Sequence, residues 1–231
     1  MDSIDYYNRY AVPYYEETVD VSMEEVMDHF AQLLPENAEV LDLGCGSGRD
    51  TIALEERGFY VTPMDGSEEM CKLAEVNTDE EVLLMTYEEM DFDDVFDGIW
   101  ACASLVHLTE EEMKETLDKL VQALKMDGIL YLSVHKGDRD GIYNGRYFHD
   151  YTKKELYGMI EETSGLELID IWTTQDVRPG KKDRMWLNVL ARKVERQRVS
   201  LCETLFVIEE KISEFYTFTC PYRIQSSGWI K

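Results

Sequence analysis

Asp42 and three glycines at alternate positions, Gly44, Gly46 and Gly48, come directly after the apolar pair Val40-Leu41. Glycines spaced this way let a chain turn sharply at a strand end. They also let a ligand approach the backbone, because no Cβ intervenes. A second acid, Asp65, closes the next apolar run and is followed by Gly66 and Ser67. A carboxylate there can accept hydrogen bonds from both hydroxyls of a ribose. The chemistry this set offers is the holding of a nucleoside-like group. The plain alternatives are a tight turn with no ligand for the glycines, and a charge favoured by a helix N-terminus for Asp65.

Spacing narrows the ligand. A phosphate-cradling loop ends in Gly-Lys-Ser/Thr, and Ser47-Gly48-Arg49 has no such end. A dinucleotide loop needs Gly-x-Gly-x-x-Gly/Ala. Gly44 and Gly46 fit it, but Arg49 takes the third place, where a helix must pack close to a strand.

The elements that must position these residues follow from hydrophobic pattern and capping signals. A first strand is expected over 39–43, then strands over 59–64, 82–85, within 96–103, and over 128–134, 166–172 and 185–192. Capping boxes at Ser22, Thr109 and Thr152 start helices. Alternation of strand and helix predicts a parallel sheet with right-handed crossovers. Only residues 173–184 separate the last two strands, too few for a helical crossover, so an antiparallel hairpin is expected at one edge. The fold class is therefore α/β: a three-layer sandwich on a mostly parallel seven-stranded sheet with an antiparallel edge hairpin. Residues 1–36 form an N-terminal lid and helix, 37–193 the ligand-binding domain, and 194–231 a C-terminal helical extension. In that extension Leu201, Leu205, Ile208, Ile212 and Phe215 recur at helical spacing. Such a helix packs back on the domain or meets a partner, a second copy of the chain included.

The chain has 231 residues, enough for one α/β domain with a sizeable core. Its formal charge of −25 argues against nucleic acid, whose phosphates such a surface repels. No run approaches the ~20 apolar residues of a membrane span, and the N-terminus lacks the basic and apolar regions of a signal peptide. Five cysteines, an odd number without paired spacing, fit reduced cytoplasmic thiols rather than disulfides or a metal site.

The pattern Asp-x-Gly-x-Gly-x-Gly at 42–48, with an acid at the second strand end, resembles motif I of the class I S-adenosylmethionine-dependent methyltransferases. The resemblance covers about residues 6 to 193 and implies their Rossmann-like fold. Tyr6-Tyr7-Asn8 and the segments 65–69, 97–105, 144–148 and 176–180 look like a narrower, tellurite-resistance-like branch.

The resemblance implies a site. Asp42, Gly44, Cys45, Gly46, Ser47 and Gly48 would lie against the methionine part of the cofactor, Asp42 facing its ammonium. Asp65, Gly66 and Ser67 would take the ribose. Thr86 and Tyr87 would flank the adenine, Thr86 standing where the family often has Asp. Backbone at Ala101 and Ala103 would approach the amino acid part. Five tyrosines crowd residues 6–15, and Tyr7 and Tyr15 are the lid rings expected to cover the sulfonium by cation–π attraction. Arg146, Tyr147 and Arg178 would frame the acceptor, an arginine meeting an anionic group on it. His107 is the candidate general base for an acceptor that arrives protonated. Ala101-Cys102-Ala103-Ser104 has neither the Pro-Cys of base carbon methylation nor the Asp/Asn-Pro-Pro-Tyr/Phe of DNA amino methylation. The expected function is methyl transfer to a small-molecule acceptor, with no nucleic acid, membrane or metal. Rival readings are a protein methyltransferase, a non-catalytic cofactor-binding module with an interaction tail, and, against Arg49, an NAD-binding dehydrogenase.

Overall fold

Successive residues of a strand face opposite ways, and the two cores of this protein part on β1 (Glu39–Leu43). The computed structural model describes residues 3–195 apart from 179 and 182. On one face Leu41 and Leu43 join Ile99, Leu130 and Leu132, covered by α5 (Glu110–Ala123) and α6 (Lys153–Glu162). On the other, Val40, Trp100 and Tyr131 pack with Phe30 of α2 (Glu24–Ala31) and Leu54 of α3 (Arg49–Glu55). Trp100 and Tyr131 stack with ring centroids 4.0 Å apart. Gly98, on β4 (Phe96–Ala101), admits α2, since a Cβ there would stand 2.7 Å from Phe30 Cζ. Fully burying one such Leu or Phe contributes about 1.5–3 kcal/mol.

The remaining strands are β2 (Tyr60–Asp65), β3 (Leu83–Leu84), β5 (Leu124–His135), β8 (Leu166–Gln175) and β9 (Met185–Lys193), with α4 (Glu68–Thr78) following β2. Their order in the seven-stranded sheet is β3-β2-β1-β4-β5-β9-β8. The pairs β1–β2, β1–β4, β2–β3 and β4–β5 are parallel, and β9 runs antiparallel between β5 and β8. This is the expected architecture, edge hairpin included.

Local differences have physical reasons. β5 starts at Leu124 rather than 128, through a register shift against Phe96 and Gly98. The expected capping box at Ser22 is not formed: Met23 holds the N-cap position, and the Ser22 hydroxyl accepts the Glu24 N–H. Those at Thr109 and Thr152 are present. A second small hairpin, β6 (Asp140–Tyr143) with β7 (Arg146–His149), was not anticipated. Asn144-Gly145 is the turn pair such hairpins favour, and both residues have positive φ.

The tyrosine-rich segment is a helix, α1 (Ser3–Thr18), kinked at Tyr10. Pro13 accounts for the kink, because its ring lacks an N–H and clashes with the preceding turn. Among the described residues no helix is long and apolar enough to cross a membrane. The expected C-terminal helix, with any dimer contact through it, lies outside the described residues.

Candidate active site

β1 lies between β2 and β4, so the sequence order of the strands reverses there. Ligands of open α/β sheets bind beyond the strand ends at such a point. The loop after β1 directs its amides inward. Gly44 and Cys45 both donate to the Met64 carbonyl, at 2.8 and 3.0 Å. Gly46 donates to Asp65 Oδ2 at 2.9 Å, and Gly48 to the Cys45 carbonyl at 3.0 Å. A phosphate cradle would aim such N–H groups at the ligand. With four of them engaged by the protein, this loop fits a nucleoside ligand without phosphate. Gly44 has φ +72°, and a Cβ on it would stand 2.4 Å from Ser104 Cβ.

Two chambers open from this loop. The first, about 520 Å³, is lined by Gly44, Gly46, Asp65, Gly66, Ser67, Met85, Thr86, Tyr87 and His107. Asp65 is its ribose candidate. One carboxylate oxygen takes the Gly46 N–H and the other the Ser67 N–H at 2.8 Å, leaving a lone pair on each for a hydroxyl. Burial pushes this carboxyl up to about 6 against those amides. At the far end the Thr86 N–H and hydroxyl both donate to Glu89, and the Tyr87 hydroxyl donates to the Ser104 carbonyl. The two residues line this end of the chamber, and their side chains are committed to the protein.

The second chamber, about 590 Å³, is lined by Asp42, Cys45, Ser47, Ser133, His135, Arg146, Phe148, Arg178 and Trp186, among others. Tyr7, Tyr14, Gly44, Gly46, Cys102 and Ala103 line both chambers and form their common wall. Asp42 accepts the Thr51 hydroxyl at 2.7 Å. Burial and the neighbouring Asp50 raise its pKa, so an arriving ammonium would favour its ionisation.

α1 covers both chambers. Asn8 Oδ1 accepts the Ser67 hydroxyl and the Glu69 N–H, and the Thr18 carbonyl accepts from Arg49. Arg49, in the place of a third fingerprint glycine, also pairs with Asp50, which in turn takes the Trp100 indole N–H. Between these anchors runs a directed chain. The Tyr147 carbonyl can only accept, so His107 Nδ1 carries the proton and donates to it at 2.7 Å. In the neutral ring, His107 Nε2 then accepts from the Tyr7 hydroxyl at 3.0 Å. Tyr7 oxygen in turn accepts from Arg146 at 3.0 Å. Burial holds His107 down at about 4, its hydrogen bond to Tyr147 opposing.

The expected residues therefore separate. Tyr7, Asp42, Gly44, Cys45, Gly46, Ser47, Asp65, Gly66, Ser67, Thr86, Tyr87, Ala103 and His107 line the chambers, as do Arg146, Tyr147 and Arg178. Tyr15, Gly48 and Ala101 line neither. A Cβ on Gly48 would stand 2.7 Å from Thr78 Cγ2, which makes it a packing glycine under α4. Ala101 is fully buried in β4. Tyr147 borders the first chamber rather than the second, and its hydroxyl donates to Asp140. The two arginines differ. Arg178 is bidentate to buried Asp176, whereas Arg146 has no carboxylate partner among the described residues and lies 4.0 Å over the Tyr6 ring. Tyr14 was missed, although it stands seven residues after Tyr7, two helical turns along. His135 was missed because the strand-end rule stopped at the fourth strand. Among the described residues no cluster of His, Cys, Asp and Glu is suited to a metal.

Known proteins bear on this geometry. A family model for a methyltransferase domain matches residues 40–128. The Bacillus subtilis protein YqeM, a methyltransferase by name, is 38% identical over 109 residues. The chain spans 44% of its length and 42% of that of a Geobacillus relative. A Staphylococcus carnosus methyltransferase is 27% identical over 70% of this chain and 86% of its own. Among solved structures, a Burkholderia thailandensis N-methyltransferase with bound S-adenosylhomocysteine superposes with a TM-score of 0.66 at 24% identity, covering 84% of this chain and 86% of its own. A Rossmann-like sheet, a phosphate-free glycine loop and a ribose-ready acid thus meet these matches on one stretch: residues 40–128 resemble a methyltransferase domain, set in a fold shared with the Burkholderia enzyme.

Proposed function

We propose that the protein transfers a methyl group from S-adenosylmethionine to a small-molecule acceptor held in the second chamber. One observation carries this reading: two chambers of molecular size meet at Gly44, Gly46, Cys102 and Ala103, beneath the rings of Tyr7 and Tyr14. When bound, the sulfonium supplies a methyl that is already electrophilic. The protein's work is then to hold the acceptor in line and exclude water. Asp65 orients the ribose in the first chamber, Asp42 faces the ammonium where the methionine part reaches into the second, and Tyr7 and Tyr14 close over the junction. Arg146, without an acid partner among the described residues, receives an anionic group of the acceptor. His107 has both nitrogens engaged, so its part is to position Tyr7.

Named relatives support the small-molecule reading. A Rickettsia bellii relative, 28% identical over 163 residues, is named a ubiquinone biosynthesis O-methyltransferase. The Burkholderia structure holds its own small acceptor beside S-adenosylhomocysteine. A protein acceptor would have to thread beneath α1. Membership of the tellurite-resistance-like branch rests on sequence segments alone. The unpaired thiols of Cys45, Cys71 and Cys102 support a cytoplasmic setting.

Calorimetry with S-adenosylmethionine, S-adenosylhomocysteine and NAD tests the donor. Both adenosyl compounds should bind and NAD should not; the reverse would sink the proposal. Release of S-adenosylhomocysteine across a metabolite panel then separates an enzyme from a binding module.

A further inference from the structure

His135 ends β5 inside the second chamber with no hydrogen-bond partner on either ring nitrogen among the described residues. Its side chain is 6% exposed. An unsatisfied buried polar group costs about 1–3 kcal/mol, and folded proteins seldom leave one without a purpose. The neighbouring acid does not satisfy it. Asp150 Oδ1 is 3.8 Å from Nδ1, beyond hydrogen-bond range, and Asp150 is held by both arms of Arg139.

We propose that His135 accepts the proton of the acceptor's nucleophile, and that the acceptor is an aromatic acid with a free O–H or ring N–H. This rests on the reading of the second chamber as the acceptor side. Placement supports it. His135 lies two residues after Ser133 on the same face of β5, about 7 Å along the strand. The Ser133 hydroxyl accepts the N–H of Ala103, a residue of the common wall, at 2.9 Å. The imidazole therefore stands one side-chain layer from the junction of the chambers.

Its surroundings select the acceptor. The Trp186 ring, paired across from His135 on β9, lies 4.1 Å away centroid to centroid, and Phe148 lies 5.7 Å away. Together with Tyr7 and Tyr14 they make walls that suit a flat ring. Arg146, over the same Phe148 at 5.1 Å, has no acid partner among the described residues, and its Nε is buried without an acceptor. A carboxylate on the ring would supply both.

In the reaction the acceptor oxygen or nitrogen bonds to the methyl carbon as the carbon–sulfur bond breaks. Sulfur keeps the bonding pair, and the acceptor's proton passes to a His135 nitrogen and then to water. Burial, then the charges of Arg139, Arg184 and Arg178, with Asp176 opposing, hold His135 down at about 3, so the empty ring is uncharged. An anionic acceptor offsets those guanidinium charges and raises the ring's proton affinity. The group that identifies the acceptor thereby strengthens the base.

The test uses the three hydroxybenzoates and the hydroxypyridine carboxylates as probes, with their methyl esters and their O-methylated forms. Wild type should release S-adenosylhomocysteine with at least one free-hydroxyl acid, at least tenfold more slowly with its ester, and not at all with its O-methylated form. His135→Gln should lower that rate by 100-fold or more, within the usual range for a general base, with S-adenosylhomocysteine affinity unchanged. In wild type the His135 imidazole resonance should shift on adding the acid, which keeps the idea testable if His135→Gln melts early. Equal turnover of esters, a wild-type rate in His135→Gln, or an unmoved resonance would overturn it. Binding of S-adenosylhomocysteine with no turnover of any ring acid would overturn the acceptor class and leave methyl transfer standing. Failure to bind S-adenosylhomocysteine would sink the underlying reading instead.

Discussion

The two chambers share a wall and are built by different means. The cofactor chamber is made largely of backbone at strand ends: the loop after β1, the Asp65-Gly66-Ser67 turn, and the turn at Met85 to Tyr87. The chamber proposed for the acceptor shares the loop after β1, Asp42 and Ser47 included, and adds side chains brought from α1, β5, β7 and the β8–β9 edge. Backbone construction tolerates few substitutions and serves a ligand of one shape. Side-chain construction can be re-cut residue by residue without disturbing the sheet. The contrast teaches which half of the site carries the chemistry common to a methyltransferase domain and which half carries this chain's own choice.

The most damaging way to break the contrast is Gly44→Ala. The new Cβ would stand 2.4 Å from Ser104 Cβ, on a residue whose φ is +72°. S-adenosylhomocysteine affinity should fall by about 100-fold or more, with a lower melting temperature, since strained and overpacked positions each cost about 1–3 kcal/mol. Near-normal binding in calorimetry would show that the loop is less constrained than its geometry says.

The arginine pair sharpens the contrast from the acceptor side. Arg146→Ala should raise the acceptor KM about tenfold or more while leaving the melting temperature near wild type. Arg178→Ala should do the opposite. It leaves Asp176, 3% exposed, without its cation, and breaking such a buried pair costs about 3–5 kcal/mol. Steady-state kinetics and thermal melts on both variants decide this; a swapped pattern would reassign the anion site.

The gentlest probe is pH. The Asp65 carboxyl is held up at about 6 by burial, and ribose hydroxyls donate to its ionised form. Binding therefore favours the carboxylate, and S-adenosylhomocysteine affinity should weaken as pH falls through about 6, by at most about tenfold per unit below it. Asp65→Asn should bind more weakly throughout and lose that slope. An equal slope in both proteins would place the titrating group elsewhere.

The same contrast explains what could be read in advance. Asp42, the glycines and Asp65 are local signals, each set by its own strand end, and the antiparallel edge hairpin follows from the short connection over 173–184. The lid was seen in outline only. Five tyrosines in ten residues mark it, but only the helix over 3–18 gives the seven-residue spacing of Tyr7 and Tyr14 its meaning, and so singles out Tyr14 rather than Tyr15. Arg146 and Arg178 look alike in sequence, and only the tertiary pairing with Asp176 tells them apart. His135 depends on three distant segments: β5 for its place, β9 for Trp186 and β7 for Phe148. No local pattern encodes that meeting. Asn144-Gly145 could have disclosed the β6–β7 hairpin, and with it the strand that brings Arg146 under α1.

Of the sixteen residues of α1, only Ala11 and Thr18 are buried. A helix placed this way has little apolar adhesion to its own protein. Its attachments to Ser67, Glu69, His107 and Arg49 are hydrogen bonds, and each is exchangeable with water for about 0.5–1.5 kcal/mol. Ion pairs of Glu17 with Arg178 and Lys181 and the Arg146 bond to Tyr7 add a further polar hold. What deepens it is occupancy: a cationic sulfonium under the tyrosine rings and an acceptor against Tyr14. The cover is held by its contents as well as by the fold, so a filled site should keep α1 in place longer than an empty one.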